Sequence, residues 1–427
     1  MISTKSENRL TWPCLLIILT IVSGTTHAAA SDPTDLPPTS QVISALNQNL
    51  LVLNANSGLK MELANQRKWN SGSYEFNLRA GSSQRNIVNT GQKLKEWDVA
   101  LERPLRLFNK VGIDENIGAA SVARAEFALG DARHEASRQL LRQWFAWQRE
   151  QTQTELWHHQ VEILEQQAKM TELRVKAGDA PRLELNQAKA AAAQASVAWH
   201  QAQLRTQLAA TDISRQFPSI RLPEKITPGT PQAIGHDFAY WKAHIMDDSH
   251  ELGLAQEQSH VQQLLAERSR ADQIPDPTVG LRYSHEMGGN EKVTGVYLTM
   301  PLSFGHRSAT ADSIAQQAAI AAEQAAFVAH RLEQDVVATH TQAVKSFETW
   351  QQAHEAAQAI LSNAELVAKA YRLGESSLSD SLTARRIALE SSLTEHLAQL
   401  DANEARYRLQ LDAHLLWALD DSNQMPE

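Results

Sequence analysis

Cysteine is almost absent from the 427 residues: the single one is Cys14, near the N-terminus. A disulfide within the chain, a zinc–thiolate centre and a thiol nucleophile in the mature protein are thereby excluded, and the scarcity suits an oxidising, exported compartment. Excess positive charge is also lacking. The formal net charge is −9, and no basic stripe stands out, which argues against a nucleic-acid partner. Past residue 30 there is no apolar run near the ~20 residues that a membrane helix needs. A chain of this kind that crosses a membrane must do so in strands. Glycine and proline are missing from His306 to Leu373 and glycine from Asp131 to Ala177.

The first 30 residues read as a secretory signal rather than as part of the fold. Lys5 and Arg9 precede a short apolar core, CLLIILTIV, and GTTHAAA supplies small residues for cleavage. Cys14 opens that core, whereas a lipid-anchored cysteine would follow it.

Where glycine and proline are missing, Ala, Gln, Glu and Leu take over, all good helix formers. A helix over 306–373 would be roughly 100 Å long. Its apolar residues form a narrow stripe, including Phe327, Leu332, Val336, Phe347, Trp350 and Tyr371, at steps of mostly three, four and seven. That is coiled-coil spacing. A helix starting near Ile113 and ending near Ala177 is its counterpart in the first half.

Each long helix stops at a glycine, in RVKAGDAPRLELNQAKA (Arg174–Ala190) and in AYRLGESSLSDSLTARR (Ala370–Arg386). Aligned on Gly178 and Gly374, the copies match in type at Lys176/Arg372, Asp179/Glu375, Glu184/Asp380, Ala188/Ala384 and Lys189/Arg385. Glycine ends a helix by taking a left-handed conformation at little cost. Bases before it and acids after it complement the two helix dipoles. Each half is therefore expected to hold a helical hairpin.

Strand signals precede both long helices. Alternation places strands at about 74–81 and 95–103 in the first half, and at about 277–285 and 292–300 in the second. The chain thus reads as a mainly α fold with a small β part, built from a duplicated strand–strand–long helix–helix unit. Repeat one covers 31–216 and repeat two 233–427, joined by the Pro-rich segment 217–232. Four alternating strands cannot close a barrel alone, and open edges are not tolerated in lipid. Either the sheet is small and soluble, or several copies pool their strands. Two copies would make eight strands and three would make twelve.

The doubled order, the two Gly-turn stretches and the strand ends ERPL and TMPL resemble the outer-membrane efflux protein (TolC-like) family across nearly the whole mature chain. PDPTVGLRYSHEMGGNEKVTGVYLTMPL is closest in character to the metal-efflux (CzcC-like) branch. The resemblance implies a homotrimer whose strands form a transmembrane β-barrel in outer-membrane lipid and whose helices form a coiled-coil barrel across the periplasm. It further implies a periplasmic adaptor and an inner-membrane pump, of the resistance-nodulation-division type, docking at the Gly turns. Family members often narrow the tunnel there with carboxylates. By position Asp380 matches one such acid; Thr383 stands where a second would be, and Glu184 is the first-half counterpart of Asp380. Gly178, Glu184, Gly374 and Asp380 are thus the candidate gate and turn residues.

No catalytic constellation, cofactor motif or metal motif stands out. The sixteen histidines are scattered. His158 and His159 are adjacent and point apart on a helix, and His330 and His340 share no ligand spacing. Trp97, Tyr283 and Tyr297 are candidates for an aromatic girdle at the bilayer interface or for packing between strands. The resulting expectation is a passive exit duct, not an enzyme. Its rivals are a periplasmic adaptor with a long hairpin and the outlet of a type I protein secretion system.

Overall fold

The computed structural model describes residues 35–225, 227–302 and 305–417. The signal segment and Cys14 lie outside them. Helices dominate. Two are very long: α3, Phe108–Lys176, and α7, His306–Leu373, each followed by a returning helix, α4 (Arg182–Gln216) and α8 (Leu378–Asp412). α3 runs through Gly112, Gly118 and Gly130 and starts earlier than Ile113. Gly118, Gly130 and Gly253 sit where helices approach closely: a Cβ on Gly130 would fall 2.6 Å from the His250 ring, and one on Gly253 would overlap the Phe127 ring.

Four further helices precede the strands, and the sequence reading did not contain them. They are α1 (Thr39–Gln48) and α2 (Leu50–Ser71) in the first repeat, and α5 (Phe238–Asp247) and α6 (His250–Ala271) in the second. Side-chain caps start three of them. Asn49 accepts from the Leu51 N–H, Asp237 from Tyr240 and Ser249 from Leu252. α2 lies along α3, and α6 lies between α3 and α7, so each long helix has a neighbour on the strand side of the molecule.

The main core lies midway along the helices. Leu140, Trp144, Phe145 and Trp147 of α3 meet Leu400, Tyr407 and Leu411 of α8 there, with Val42 and Leu46 of α1. Each such side chain contributes about 1.5–3 kcal/mol when fully buried. The joint at 217–232 is packed on this core rather than free: Phe217 and Ile220 are buried, and Asn403 and Gln399 donate to the Gly229 carbonyl. Below it the helices touch through small residues. Ala188, Ala195 and Ala202 of α4, seven residues apart, are all buried.

The strands are β1 (Asn77–Ile87), β2 (Gln92–Pro104), β3 (Thr278–Glu286) and β4 (Glu291–Thr299). β1 starts three residues later than about 74 and runs on through polar residues. The two hairpins are not separate. They join in one antiparallel sheet of order β1-β2-β3-β4, with β2 and β3 paired from Trp97↔His285 to Pro104↔Thr278.

Directly opposed residues share a face, so the register sorts the side chains. One face carries Leu78, Leu101, Leu281 and Val296 in a single row, with Ala80, Val99 and Tyr283 in the next and Trp97 beyond. The other carries Glu96, Asp98, Glu102, Glu286 and Glu291 with Arg79, Arg85 and Arg282. Arg85 pairs with Glu96 at 2.6 Å and reaches Glu286 at 3.4 Å across that polar face. Trp97 and Tyr283 are on the apolar face, their rings 5.7 Å apart. Tyr297 is not: strand parity turns it to the polar face, where its hydroxyl donates to Glu102 at 2.7 Å. It therefore does not belong to a girdle with the other two.

Candidate functional site

Both long helices end in the same motif. After α3, the Gly178 N–H donates to the Val175 carbonyl and the Asp179 N–H to Arg174, at 3.1 and 2.8 Å. After α7, Gly374 donates to Tyr371 and Glu375 to Ala370, at 3.1 and 2.9 Å. These paired bonds satisfy the last carbonyls and require a left-handed residue after the helix. Gly178 and Gly374 supply it, with φ of +83° and +82°.

The returning helices start differently. α4 follows Pro181, and no side chain caps it. α8 has a full capping box: Ser377 accepts from the Asp380 N–H, and the Asp380 carboxylate accepts from the Ser377 N–H. The same carboxylate accepts hydrogen bonds from the hydroxyls of Ser377 at 2.7 Å and Ser376 at 3.4 Å. Those bonds, Ser377 foremost, hold the Asp380 carboxyl below the usual carboxylate range. Asp380 is exposed, so it remains a negative charge on the surface of the second turn.

Glu184 has another environment. It is half-buried, and it accepts a hydrogen bond from the Tyr371 hydroxyl at 3.2 Å. Arg174 donates to the same hydroxyl at 3.0 Å and places its guanidinium 5.4 Å from the Tyr371 ring. Arg174 also reaches the Asp179 carbonyl in its own turn. One tyrosine on α7 thus ties together the end of α3 and the start of α4. Its ring is buried with Ala168, Ala188 and Leu378, so all four long-hairpin helices meet at this point. The structure brings Glu184 together with both turns and leaves Asp380 apart from it.

Tyr371 and Arg174 were not among the predicted site residues. A signal was present in the repeat alignment: Arg174-Val175 of the first copy stands where the second has Ala370-Tyr371. The interlocking pair is one of the places where the copies differ.

Beside this latch, a groove of about 410 Å³ runs between α3 and the α7–α8 hairpin, lined among others by His159, Glu365, Arg372 and Arg385. Arg385 is half-buried. Its guanidinium binds its proton less tightly than usual, first because of burial and then because of the Arg372 charge. On the other side a groove of about 450 Å³ separates the α3–α4 hairpin from α8 and includes Thr383. Among the described residues no group of three His, Cys, Asp or Glu side chains is placed to hold a metal, and no helix is long and apolar enough to cross a membrane.

No protein-family model matches the sequence, and no curated protein does. Solved structures do match. The fold aligns with the outer membrane protein VceC of Vibrio cholerae at a TM-score of 0.69, over 89% of this chain and 95% of that one, with 17% identity. For the CmeC outer membrane channel of Campylobacter jejuni the values are 0.66, 88%, 84% and 14%. For the open state of the MtrE outer membrane channel of Neisseria gonorrhoeae they are 0.59, 88%, 89% and 15%. The chain therefore has the fold of the TolC-like outer-membrane channels.

Proposed function

We propose that this protein is the outer-membrane exit duct of a tripartite efflux system: a homotrimer, passive, and not an enzyme. Three copies pool their strands into a twelve-stranded barrel and their hairpins into a twelve-helix tunnel across the periplasm. A periplasmic adaptor and an inner-membrane pump of the resistance-nodulation-division type dock at the Gly178 and Gly374 turns. Heavy-metal cations are the proposed cargo, on the resemblance of residues 275–302 to the metal-efflux branch.

The observation that carries this reading is what a single copy leaves unpaired. The sheet is apolar on one face, charged on the other, and open at β1 and β4. That is the lipid-out, water-in alternation of a membrane barrel, and it needs closure. The helices repeat the point. α4 buries one seam of alanines at heptad spacing and exposes a second, Leu183, Val197 and Leu204, each 58–65% exposed. α7 likewise exposes Ile320 and Phe327, seven residues apart. Unused coiled-coil seams along both hairpins call for neighbouring hairpins. With α-helical walls and a charged interior, the duct works by width, by charge at the tip, and by shifts of packed helices.

The test is fractionation of the native membrane with a gene deletion alongside. The protein is expected in the outer membrane as an oligomer that dissociates on heating, and its loss should sensitise cells to zinc, cobalt, cadmium or copper. A periplasmic, salt-extractable protein would point to an adaptor instead. Outer-membrane location with unchanged sensitivity to every metal would remove the metal cargo.

A further inference from the structure

The apolar face of the sheet changes character toward its hairpin tips. The α-helices attach at the opposite ends of the strands, beside Asn77, Pro104, Thr278 and Thr299. From there the outward rows are mainly apolar as far as Trp97, with Arg103 at the base and Thr294 beside Tyr283 as the exceptions. Level with Trp97 the same face carries Ser82 on β1, His285 on β3 and Lys292 on β4, and beyond it Gln84 and Asn86 on β1 with Lys95 and Lys93 on β2. Three lysines thus share the outward face, and every acid of the strands is on the inward one. Among the described residues the ion pairs of the sheet, Arg85–Glu96, Arg85–Glu286, Arg282–Asp98 and Arg282–Glu286, all run on the inward face and include none of these lysines. Lys93, Lys95 and Lys292 are exposed.

Charge is therefore segregated through the thickness of the sheet at one height. Inward, Glu96, Glu286 and Glu291 outnumber Arg85. Outward, three cations stand together with amide and hydroxyl side chains and without a carboxylate. Solubility alone would favour mixed signs; a one-sided cationic row directly above an apolar band is matched to anions at headgroup height. Lys93 and Lys95 project side by side about 7 Å apart along the strand. Trp97, level with Lys292, and Tyr283 one row below it mark the boundary.

We propose that Lys93, Lys95 and Lys292 form a binding belt for the phosphate groups of the glycolipid in the outer leaflet, of the bisphosphorylated lipid A type. This inference rests on the membrane-barrel reading above: if the helices occupy the periplasm, the hairpin tips and the lysines face outward, where that lipid is the anion available. The belt anchors the barrel's height and couples it to the outer leaflet.

The test uses the full-length protein in phosphatidylcholine nanodiscs. Bisphosphorylated lipid A, dephosphorylated lipid A and phosphatidylglycerol are titrated against wild type, K93Q/K95Q/K292Q and K93R/K95R/K292R, and bound lipid is counted by native mass spectrometry. Wild type should prefer the bisphosphorylated form, with about fivefold lost per lysine neutralised, and the arginine variant should keep the preference. Equal binding of phosphorylated and dephosphorylated lipid A by wild type overturns the belt, as does equal binding of phosphatidylglycerol or unchanged binding by the glutamine variant. Should that variant not assemble, the wild-type and arginine comparisons decide. Wild type that never enters the outer membrane overturns the duct reading as well; wild type that enters but ignores the phosphates overturns the belt alone.

Discussion

The ammonium group of Lys110, fully buried in the first turn of α3, lies 2.9 Å from the carboxylate of Asp276 just before β3. A residue of one repeat is thus clamped to the base of a strand in the other, where the sheet meets the helices. Asp276 also accepts from the Tyr74 hydroxyl at 2.9 Å and the Leu107 N–H at 3.2 Å. Burial alone would raise its carboxyl; the bonds from Lys110, Tyr74 and Leu107 outweigh that and hold it below its usual range. Tyr74 is pushed up to about 12, by burial first and then by Asp276. Asp272, 3.0 Å from Lys110, and Asp114, bonded to Arg106 and Arg268, extend the cluster.

Replacing Lys110 with Met leaves Asp276 partly buried without its cation. The expected cost is about 3–5 kcal/mol, read as a lower denaturation midpoint. Lys110→Met combined with Asp276→Asn should cost less than the sum of the two single changes, because the second removes the stranded charge.

Tyr371→Phe keeps the buried ring and deletes the hydroxyl that serves both Arg174 and Glu184. The loss should be about 1–3 kcal/mol, with a larger consequence for the tip: single-channel recordings should show higher closed-state conductance. Arg174→Gln should act in the same direction, and the double variant should add little, since one hydroxyl carries both contacts. Wild-type conductance in all three would remove the latch.

Gly178→Ala and Gly374→Ala test the turns. A Cβ meets no atom within 4 Å at either position, so the penalty is conformational and not steric crowding. Each should lose about 1–2 kcal/mol per chain, measured by thermal unfolding, with Gly178→Asn costing less than Gly178→Ala.

Asp380 serves as the N3 acid of a capping box, and its charge is free to act toward the solvent. Asp380→Asn should cost under about 1 kcal/mol. If the three copies ring the pore, the same change should reduce cation preference in planar bilayers. Unchanged selectivity would leave Asp380 a cap and nothing more.

Stability should also fall in mild acid. His134 is half-buried, stacked on His414 at 5.1 Å, and bonded to the Leu411 carbonyl. Burial first, and then Arg138, lowers its pKa from 6.5 to about 4. A folded-state value below the unfolded one means that the unfolded chain binds the extra proton first. Its contribution is present above pH 6.5 and is lost as pH falls toward 4, by up to about 3 kcal/mol. His134→Gln should flatten that part of the pH–stability curve.

Long helices and their ends were legible because they depend on local chemistry: the absence of Gly and Pro over 306–373, and a left-handed glycine after each. The capping box of Ser377 and Asp380 was not among the expectations, although the two residues stand three apart at the start of α8. α2 was not legible, since LLVLNANSGLKMELANQRKWNS holds Gly58 and four asparagines and its helical face is set by packing on α3. The outer half of β1, GSSQRNI, has no apolar alternation because it lies beyond the apolar band. Whether Tyr297 joins a girdle or packs between strands was not legible, because its face depends on pairing with β3. The Arg174–Tyr371–Glu184 link joins residues far apart in sequence, and only the docking of two hairpins brings them together.

The central claim is that one chain supplies an arc and that identical copies close the conduit. Native mass spectrometry of the detergent-solubilised protein, with projection images of the same sample, tests it most directly. The account predicts a mass of three chains and a tall hollow particle with threefold symmetry down the long axis. A stable single-chain mass, with a solid particle and no central channel, would contradict it.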